Sequence, residues 1–142
     1  MGVYKTNINL LNTDVGLLIF RISISILMLT HGWPKLLKFF GSEEISFADP
    51  IGLGETLTFT LAVFSEFFCA AFIILGFITR FAALPLITTM FVAAVIVHKA
   101  DGFGDQELPL LYMFGFILLA FTGPGKYSVD FFIRNKKQAH IE

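Results

Sequence analysis

The sequence predicts an all-α membrane protein: an antiparallel bundle of four transmembrane helices with a short amphipathic segment at its C-terminus. Of its 142 residues, 56% are hydrophobic and only 15% are charged. That balance is too apolar for a soluble domain of this size, because a small domain has much surface to cover with polar groups. The apolar residues also form long runs of roughly 20 residues, the length that a helix needs to cross a bilayer.

The chain is expected to form one transmembrane domain. The four predicted spans cover about residues 14–32, 56–76, 79–98 and 107–122. Gly32 and Pro34 weaken a helix, so we expect the first span to end there. The second and third spans are separated only by a very short turn at Gly76, so they must form an antiparallel hairpin.

Basic residues are distributed unequally between the two ends of this bundle. The predicted outer loops, 33–55 and 99–106, carry three basic residues (Lys35, Lys38 and Lys99) against six acidic ones. The opposite end carries Lys5, Arg80 and the basic residues of the tail, 123–142. The positive-inside rule therefore places both termini in the cytoplasm. Within the tail, an apolar piece that ends at Ile133 precedes the last basic residues, which predicts a short amphipathic segment at the membrane surface.

One carboxylate, Glu66, lies near the middle of the second apolar run. A charge at that depth is costly and needs a partner or a function. Arg21 lies five to seven residues inside the first span, roughly 10 Å at 1.5 Å per residue, and we expect it to pair with Glu66. Two interpretations stay open. The pair holds the helices together, or one partner is left to bind a proton or a polar head group.

Titratable residues also gather at the predicted outer ends of the spans, where we expect a polar pocket. They are His31, Lys35, Glu55, His98 and Glu107. Imidazole and carboxylate groups suit proton exchange. Two histidines four residues apart on a helix would be typical of a zinc site, and that spacing is missing here, so no metal site is predicted.

The spacing of these residues places some of them on the same face of a helix. Glu55 and Glu66 are eleven residues apart and share one face of the second span, whereas Arg80 and His98 are eighteen apart on the third. Among the titratable groups we expect catalytic roles for Glu66, His98, His31 and Glu107, as groups that exchange protons. Cofactor binding is expected at Arg21, Lys35, Glu55 and Arg80.

Several classes of chemistry lack their sequence signals. The chain has no haem attachment motif, no set of iron–sulfur cysteines and no glycine-rich dinucleotide loop. Its single cysteine, Cys69, excludes an intramolecular disulfide and dithiol chemistry within this chain. A net charge of −1 gives no reason to expect a nucleic-acid partner.

A series of motifs follows a specific order from about Val15 to Ile133. The series comprises Arg21, His31-Gly32-Trp33-Pro34-Lys35-Leu36, Glu66, Leu75-Gly76-Phe77-Ile78-Thr79-Arg80, Met90, His98, Glu107 and Gly123-Pro124-Gly125-Lys126-Tyr127-Ser128-Val129-Asp130. In order and spacing the chain resembles the DoxX family of four-span bacterial and archaeal inner-membrane proteins. Some relatives of that family resemble the small subunit of a thiosulfate:quinone oxidoreductase, and others are linked to membrane redox complexes. The resemblance therefore implies a bacterial inner-membrane location and a quinone as cofactor. A related branch uses cysteine pairs, which this chain does not have.

Three functions follow as hypotheses. The first is a subunit of a quinone-linked membrane oxidoreductase that receives electrons from a partner subunit or directly from a substrate. The second is a non-catalytic adaptor or assembly subunit, whose charged residues dock another membrane protein. The third is a carrier of small molecules or protons, for which four spans are few unless the protein forms a homo-oligomer. In each case the lipid bilayer is the surrounding partner.

Overall fold

The computed structural model describes residues 9–42 and 44–138. Lys5, Glu43 and the last four residues of the tail lie outside the described residues. Within the described part the chain is helical and contains no strand, which confirms the all-α class. Its helices are α1 (Leu10–Phe40), α2 (Glu55–Leu75), α3 (Thr79–Val97), α4 (Phe103–Thr122) and α5 (Val129–Gln138).

Helix α1 is longer than expected, and the prediction that it ends at Gly32 and Pro34 is wrong. It continues to Phe40 with Pro34 inside the helix. A proline in a helix interior costs about 3 kcal/mol, so packing elsewhere must offset that cost. Gly32 packs directly against the backbone of Glu66, and the ring of Phe39 lies 6.5 Å from that of Phe59 on α2. Residues 36–40, predicted to lie in the first outer loop, are therefore the last part of α1.

Helices α2 and α3 are joined by a tight turn at Gly76, as the short connection predicted. Gly76 has φ 68° and Ile78 has φ 43°, both in the left-handed region. Glycine adopts that region at little cost. The N–H of Phe77 closes the turn by donating to the carbonyl of Phe72 at 2.9 Å.

Each helix of this hairpin contains a π-helical segment, which the sequence did not reveal. The segments are Phe64–Cys69 in α2 and Ala93–Val97 in α3. A π turn inserts an extra residue into a helix and recurs at functional sites. Both segments lie near the candidate site described below.

The core lies where the four long helices meet. Its fully buried side chains come from each of them and include Met28, Ile73, Leu86 and Phe116. Among the described residues, α1, α2 and α3 are long and apolar enough to cross a membrane. Helix α4 has 20 residues, begins with a polar turn that includes Asp105, and packs along α3.

The helices give the molecule two distinct ends. The loop end carries the connections 41–54 and 98–102, and Gln106 at the start of α4 donates to the carbonyl of His98 there. The hairpin end carries the turn 76–78 and the segment 123–128, which lie together because Asp130 bonds to the turn.

Candidate functional site

An ion pair between Lys35 and Glu66 forms the centre of the candidate site. The ammonium group of Lys35 donates to Oε2 of Glu66. Glu66 is 3% exposed and lies in the π segment of α2. Lys35 retains 27% of its side-chain surface. The pair is therefore buried on the carboxylate side and partly open on the ammonium side.

Two features of the backbone bring these residues together. A Cβ atom added to Gly32 would lie only 2.5 Å from the carbonyl oxygen of Glu66, so α1 and α2 touch at this point. Lys35 follows Gly32 by three residues on an unbroken helix, which places it on the same face. The continuation of α1 past Pro34 is thus what positions Lys35 for Glu66.

The larger of two cavities at the loop end has a volume of about 600 Å³. Its walls are mostly apolar and include Leu61, Phe64, Leu84, Pro85, Val92 and Val97, with Phe47 and Ile51 contributed by the connection 41–54. Lys35, Glu66 and His98 form its polar corner. Such a space accepts a ligand with an apolar body and one polar end.

The smaller cavity has a volume of about 320 Å³ and lies beside the first. It is lined by polar residues from two helices, His31 on α1 and Asp105 and Tyr112 on α4, together with apolar residues such as Met28 and Met90. The two cavities share four lining residues: Lys35, Glu66, Ala93 and His98. The ion pair and the imidazole thus stand between them.

His98 is held in place from two sides. Its Nδ1 lies 2.9 Å from Oδ2 of Asp101, and its backbone carbonyl accepts from Nε2 of Gln106 at 2.9 Å. A hydrogen bond to one ring nitrogen fixes the orientation of an imidazole. His98 is therefore positioned at the common wall of the two cavities.

The structure brings together only part of the predicted pocket. His31 lines the smaller cavity alone, with its ring 5.8 Å from that of Tyr112 in an edge contact. Glu107 is exposed and lines neither cavity. Glu55 also lines neither, and its carboxylate accepts instead from the N–H of Phe47 at 3.4 Å.

The expected pair between Arg21 and Glu66 is wrong. The guanidinium of Arg21 donates to the carbonyl of Pro124 at 2.7 Å and to that of Tyr127 at 2.8 Å, at the hairpin end. Glu66 pairs with Lys35, which lies fourteen residues further along α1, or about 21 Å at 1.5 Å per residue. Glu66 lies beside Gly32, eleven residues or about 16 Å along α1 from Arg21, so it is beyond the reach of the guanidinium.

A separate group of charged residues, the hairpin-end cluster, surrounds Arg21. It consists of Arg21, Arg80, Asp14, Lys126 and Asp130. Asp130 accepts from the N–H groups of Ile78 at 2.7 Å and Thr79 at 3.1 Å. Lys126 lies 3.5 Å from Asp14, and Arg80 donates to the carbonyl of Phe121 at 3.5 Å. These bonds fasten the segment after α4 to the base of the bundle, so Arg21 and Arg80 do not reach the cavities.

The sequence reasoning missed several residues of the site. Asp105 and Tyr112 were passed over, although a tyrosine within an apolar run is a signal of a polar contact. Asp49 is one of the six acidic residues of the predicted outer loops, and the sequence alone indicates no further role for it. It accepts from the N–H groups of Leu53 and Gly54 and from the hydroxyl of Thr58, and so fixes the connection that carries Phe47 over the larger cavity.

Comparison with known proteins finds one matching family model and several similar membrane proteins. The DoxX family model matches residues 16–99, more than half of the chain. The inner membrane protein YqjF of Escherichia coli (strain K12) is 33% identical over 127 residues, which cover 87% of this chain and 95% of YqjF. The inner membrane protein YphA of the same organism is 35% identical over 127 residues, covering 82% of this chain and 89% of YphA. An uncharacterized protein of Haemophilus influenzae is 28% identical over 131 residues, 87% of each chain.

No solved structure matches the chain. The range matched by the family model contains Lys35, Glu66 and His98. It ends before α4 and the segment that Arg21 binds. The common wall of the two cavities therefore lies within the matched range.

Proposed function

This chain belongs to the DoxX family of integral membrane proteins, and we propose that it is the quinone-binding subunit of a membrane oxidoreductase. The observation that carries the proposal is the larger cavity, an apolar space of about 600 Å³ that ends in a corner of Lys35, Glu66 and His98. A quinone has the matching shape and chemistry, with an apolar ring and tail and polar oxygens at the head. Pockets for small ligands commonly have volumes of roughly 300–1,000 Å³.

The polar corner suits the head group of a quinone. The ammonium of Lys35 is a strong donor that can turn from Glu66 to a carbonyl oxygen, and charge-assisted hydrogen bonds are the stronger ones. The imidazole of His98, oriented by Asp101, lines the same corner. The walls formed by residues such as Leu61, Leu84 and Val92 exclude water from the ring and tail.

Proton handling falls to the same residues. When bound and reduced, a quinone takes up two electrons and two protons and leaves as the quinol. Glu66 and His98 hold and release protons at the cavity corner, and Lys35 stabilises negative charge beside them. The electrons come from a partner redox subunit or directly from a substrate.

The proposal also includes an orientation of the helices in the membrane. Helices α1 to α4 cross the bilayer as an antiparallel bundle with both termini in the cytoplasm, supported by the basic residues of the tail. The loop end then faces the outer side. Helix α5 places Phe132 and Ile133, both exposed, beside Arg134 and Lys137, a composition that suits the cytoplasmic membrane surface.

The direct test is quinone binding to the purified protein in lipid nanodiscs. A short-chain ubiquinone and menadione are titrated while the fluorescence of Trp33, the single tryptophan, is followed. We expect saturable quenching, and a Kd raised about tenfold or more by Lys35→Met or Glu66→Gln, because each removes a charged partner from the corner. Lys38→Met is the matched control: Lys38 lies one turn further along α1 and lines neither cavity.

Two results would contradict the proposal. Quenching that does not saturate, or that Lys35→Met and Glu66→Gln leave unchanged, would show partitioning into lipid instead of a site. An equal loss in Lys38→Met would show that binding does not depend on the polar corner. If wild-type protein binds neither quinone yet retains a stoichiometric membrane partner that Glu66→Gln releases, the adaptor function replaces this one.

A further inference from the structure

The two cavities at the loop end differ in what surrounds them. Around the larger cavity, most exposed lining residues are apolar: Leu61 is 46% exposed, Phe64 46% and Leu84 55%. The exposed polar one, Thr88, donates its hydroxyl to the carbonyl of Leu84 on its own helix. Within a membrane these side chains face the acyl chains of the lipid. A lipid-soluble ligand can therefore enter the larger cavity sideways from the bilayer.

The smaller cavity opens among polar, exposed residues instead. His31, Gly104 and Asp105 are all exposed and line it at the loop end. Its volume of about 320 Å³ is far more than one water molecule needs. Six of its twelve lining residues are polar or charged, and the other six include exposed Leu108. Polar partners and sufficient room are the two conditions for a hydrated cavity.

The lipid-facing cavity and the polar cavity meet at Glu66. Its carboxylate lies at the wall that both cavities share, together with Lys35 and His98. The titratable and charged groups that face this position come from three parts of the fold. They are Lys35 and His31 on α1, His98 at the end of α3, and Asp105 and Tyr112 on α4.

We infer that the smaller cavity is a hydrated path that carries protons between the solution at the loop end and Glu66. A proton from the outer solution passes as hydronium along the water of the cavity to the carboxylate of Glu66. There it forms an O–H bond, leaves a water molecule behind and removes the charge opposite Lys35. The proton then passes to a head-group oxygen in the larger cavity, a last step that rests on the proposed quinone function. Lipid-soluble ligand and protons thus reach the same carboxylate from opposite sides.

The path is tested by the water accessibility of single cysteines in a Cys69→Ala background. Met90→Cys and Met28→Cys place a thiol in the smaller cavity only, and Thr88→Cys places one in the larger cavity only. A charged, membrane-impermeant methanethiosulfonate reacts with thiolates in water. We expect it to label Met90→Cys and Met28→Cys about tenfold or more faster than Thr88→Cys, while N-ethylmaleimide labels all three.

A matched pair of α4 variants makes the test specific. Leu108 lines the smaller cavity, whereas Leu111, three residues further, is 67% exposed and lines neither cavity. Leu108→Trp should block the path and slow charged labelling of Met90→Cys about tenfold, and Leu111→Trp should leave it unchanged. N-ethylmaleimide labelling verifies that the thiol is accessible to a neutral reagent, and thermal unfolding like that of the Cys69→Ala parent verifies that each variant is folded.

The inference is overturned if the charged reagent labels neither Met28→Cys nor Met90→Cys, or if both tryptophan variants behave alike. No quinone enters this experiment. Failure of the titration with quinones would therefore remove the proposed function and leave the hydrated path, whereas failure here would remove only the path.

Discussion

Two buried charges in this bundle, Arg21 at the hairpin end and Glu66 midway along α2, have opposite surroundings. Arg21 is 1% exposed, and its guanidinium bonds to two backbone carbonyls of the segment after α4. Glu66 is 3% exposed, but its partner Lys35 is partly open, and both line two cavities. The sequence makes the two residues look alike, as isolated charges in apolar runs.

The difference separates a charge that fastens the fold from one that is available for chemistry. Carbonyl groups of the main chain cannot leave Arg21 without moving the chain. Lys35 can turn away from Glu66 by rotating side-chain bonds alone, and a ligand or a proton can take its place. The surroundings of a buried charge, more than its burial, therefore indicate its role in this protein.

The largest expected effect is on stability at the hairpin end. Arg21→Met leaves the carbonyls of Pro124 and Tyr127 without their donor, at a cost of roughly 1–3 kcal/mol each. We expect the free energy of unfolding to fall by about 2–6 kcal/mol. Thermal unfolding in detergent, followed by circular dichroism, measures the change.

Glu66→Gln is the matched variant for that experiment. It keeps the shape of the side chain, and Lys35 stays partly solvated, so the loss should remain below about 1.5 kcal/mol. Equal destabilisation by the two variants would mean that the Lys35–Glu66 pair fastens the fold as Arg21 does, and the contrast between the two ends would be lost.

An intermediate effect is expected at the contact between α1 and α2. In Gly32→Ala the new Cβ would lie 2.5 Å from the carbonyl oxygen of Glu66, so the helices must separate, at a cost of roughly 1–3 kcal/mol. Gly16→Ala on the same helix meets nothing within 4 Å and should raise stability by about 0.5–1 kcal/mol.

We therefore expect Gly32→Ala to lower the midpoint temperature of thermal unfolding and Gly16→Ala to raise it. Gly32→Ala should also weaken quinone binding, because it moves Lys35 away from Glu66. A Gly32→Ala variant as stable as Gly16→Ala would disprove the close packing at this point.

The smallest effect concerns pH and the connection over the larger cavity. The N–H of Gly54 and then the hydroxyl of Thr58 hold the pKa of Asp49 below its ordinary value. A carboxylate with a lowered pKa in the folded state stabilises the fold above its unfolded-state pKa, and that contribution is lost as the pH falls through the folded-state pKa. Wild-type protein should therefore lose slightly more stability than Asp49→Asn when the pH is lowered into the acid range. If the thermal stability of wild-type protein and that of Asp49→Asn fall equally as the pH is lowered, this prediction is wrong.

The sequence predicted the helical class well, because long apolar runs leave few alternatives. It failed at the end of α1, where the local cost of Pro34 is outweighed by contacts of Gly32 and Phe39 that are distant in sequence. It also failed to show the π segments, since a π turn depends on an extra residue in the helix and has no composition of its own.

For the site, the sequence identified Glu66, Lys35 and His98 but assigned the wrong partner to Glu66. The sequence does not show how two helices are shifted along each other, and in the structure Glu66 lies level with Gly32, about 16 Å beyond Arg21. Arg21 reaches the polar hairpin end, as a charged side chain does when water and backbone carbonyls are near. The roles of Asp14 and Asp130 depend on contacts across most of the chain, which spacing alone does not contain.

The central claim, that the quinone site lies at the loop end, is tested most directly by photolabelling with an azidoquinone and mapping the modified peptides by mass spectrometry. The label should fall on residues that line the larger cavity, between Phe47 and Glu66 and between Leu84 and His98, and it should be lost in Glu66→Gln but kept in Arg80→Gln. Labels concentrated at the hairpin end, near Arg21 and Pro124, or labelling unaffected by Glu66→Gln, would contradict it.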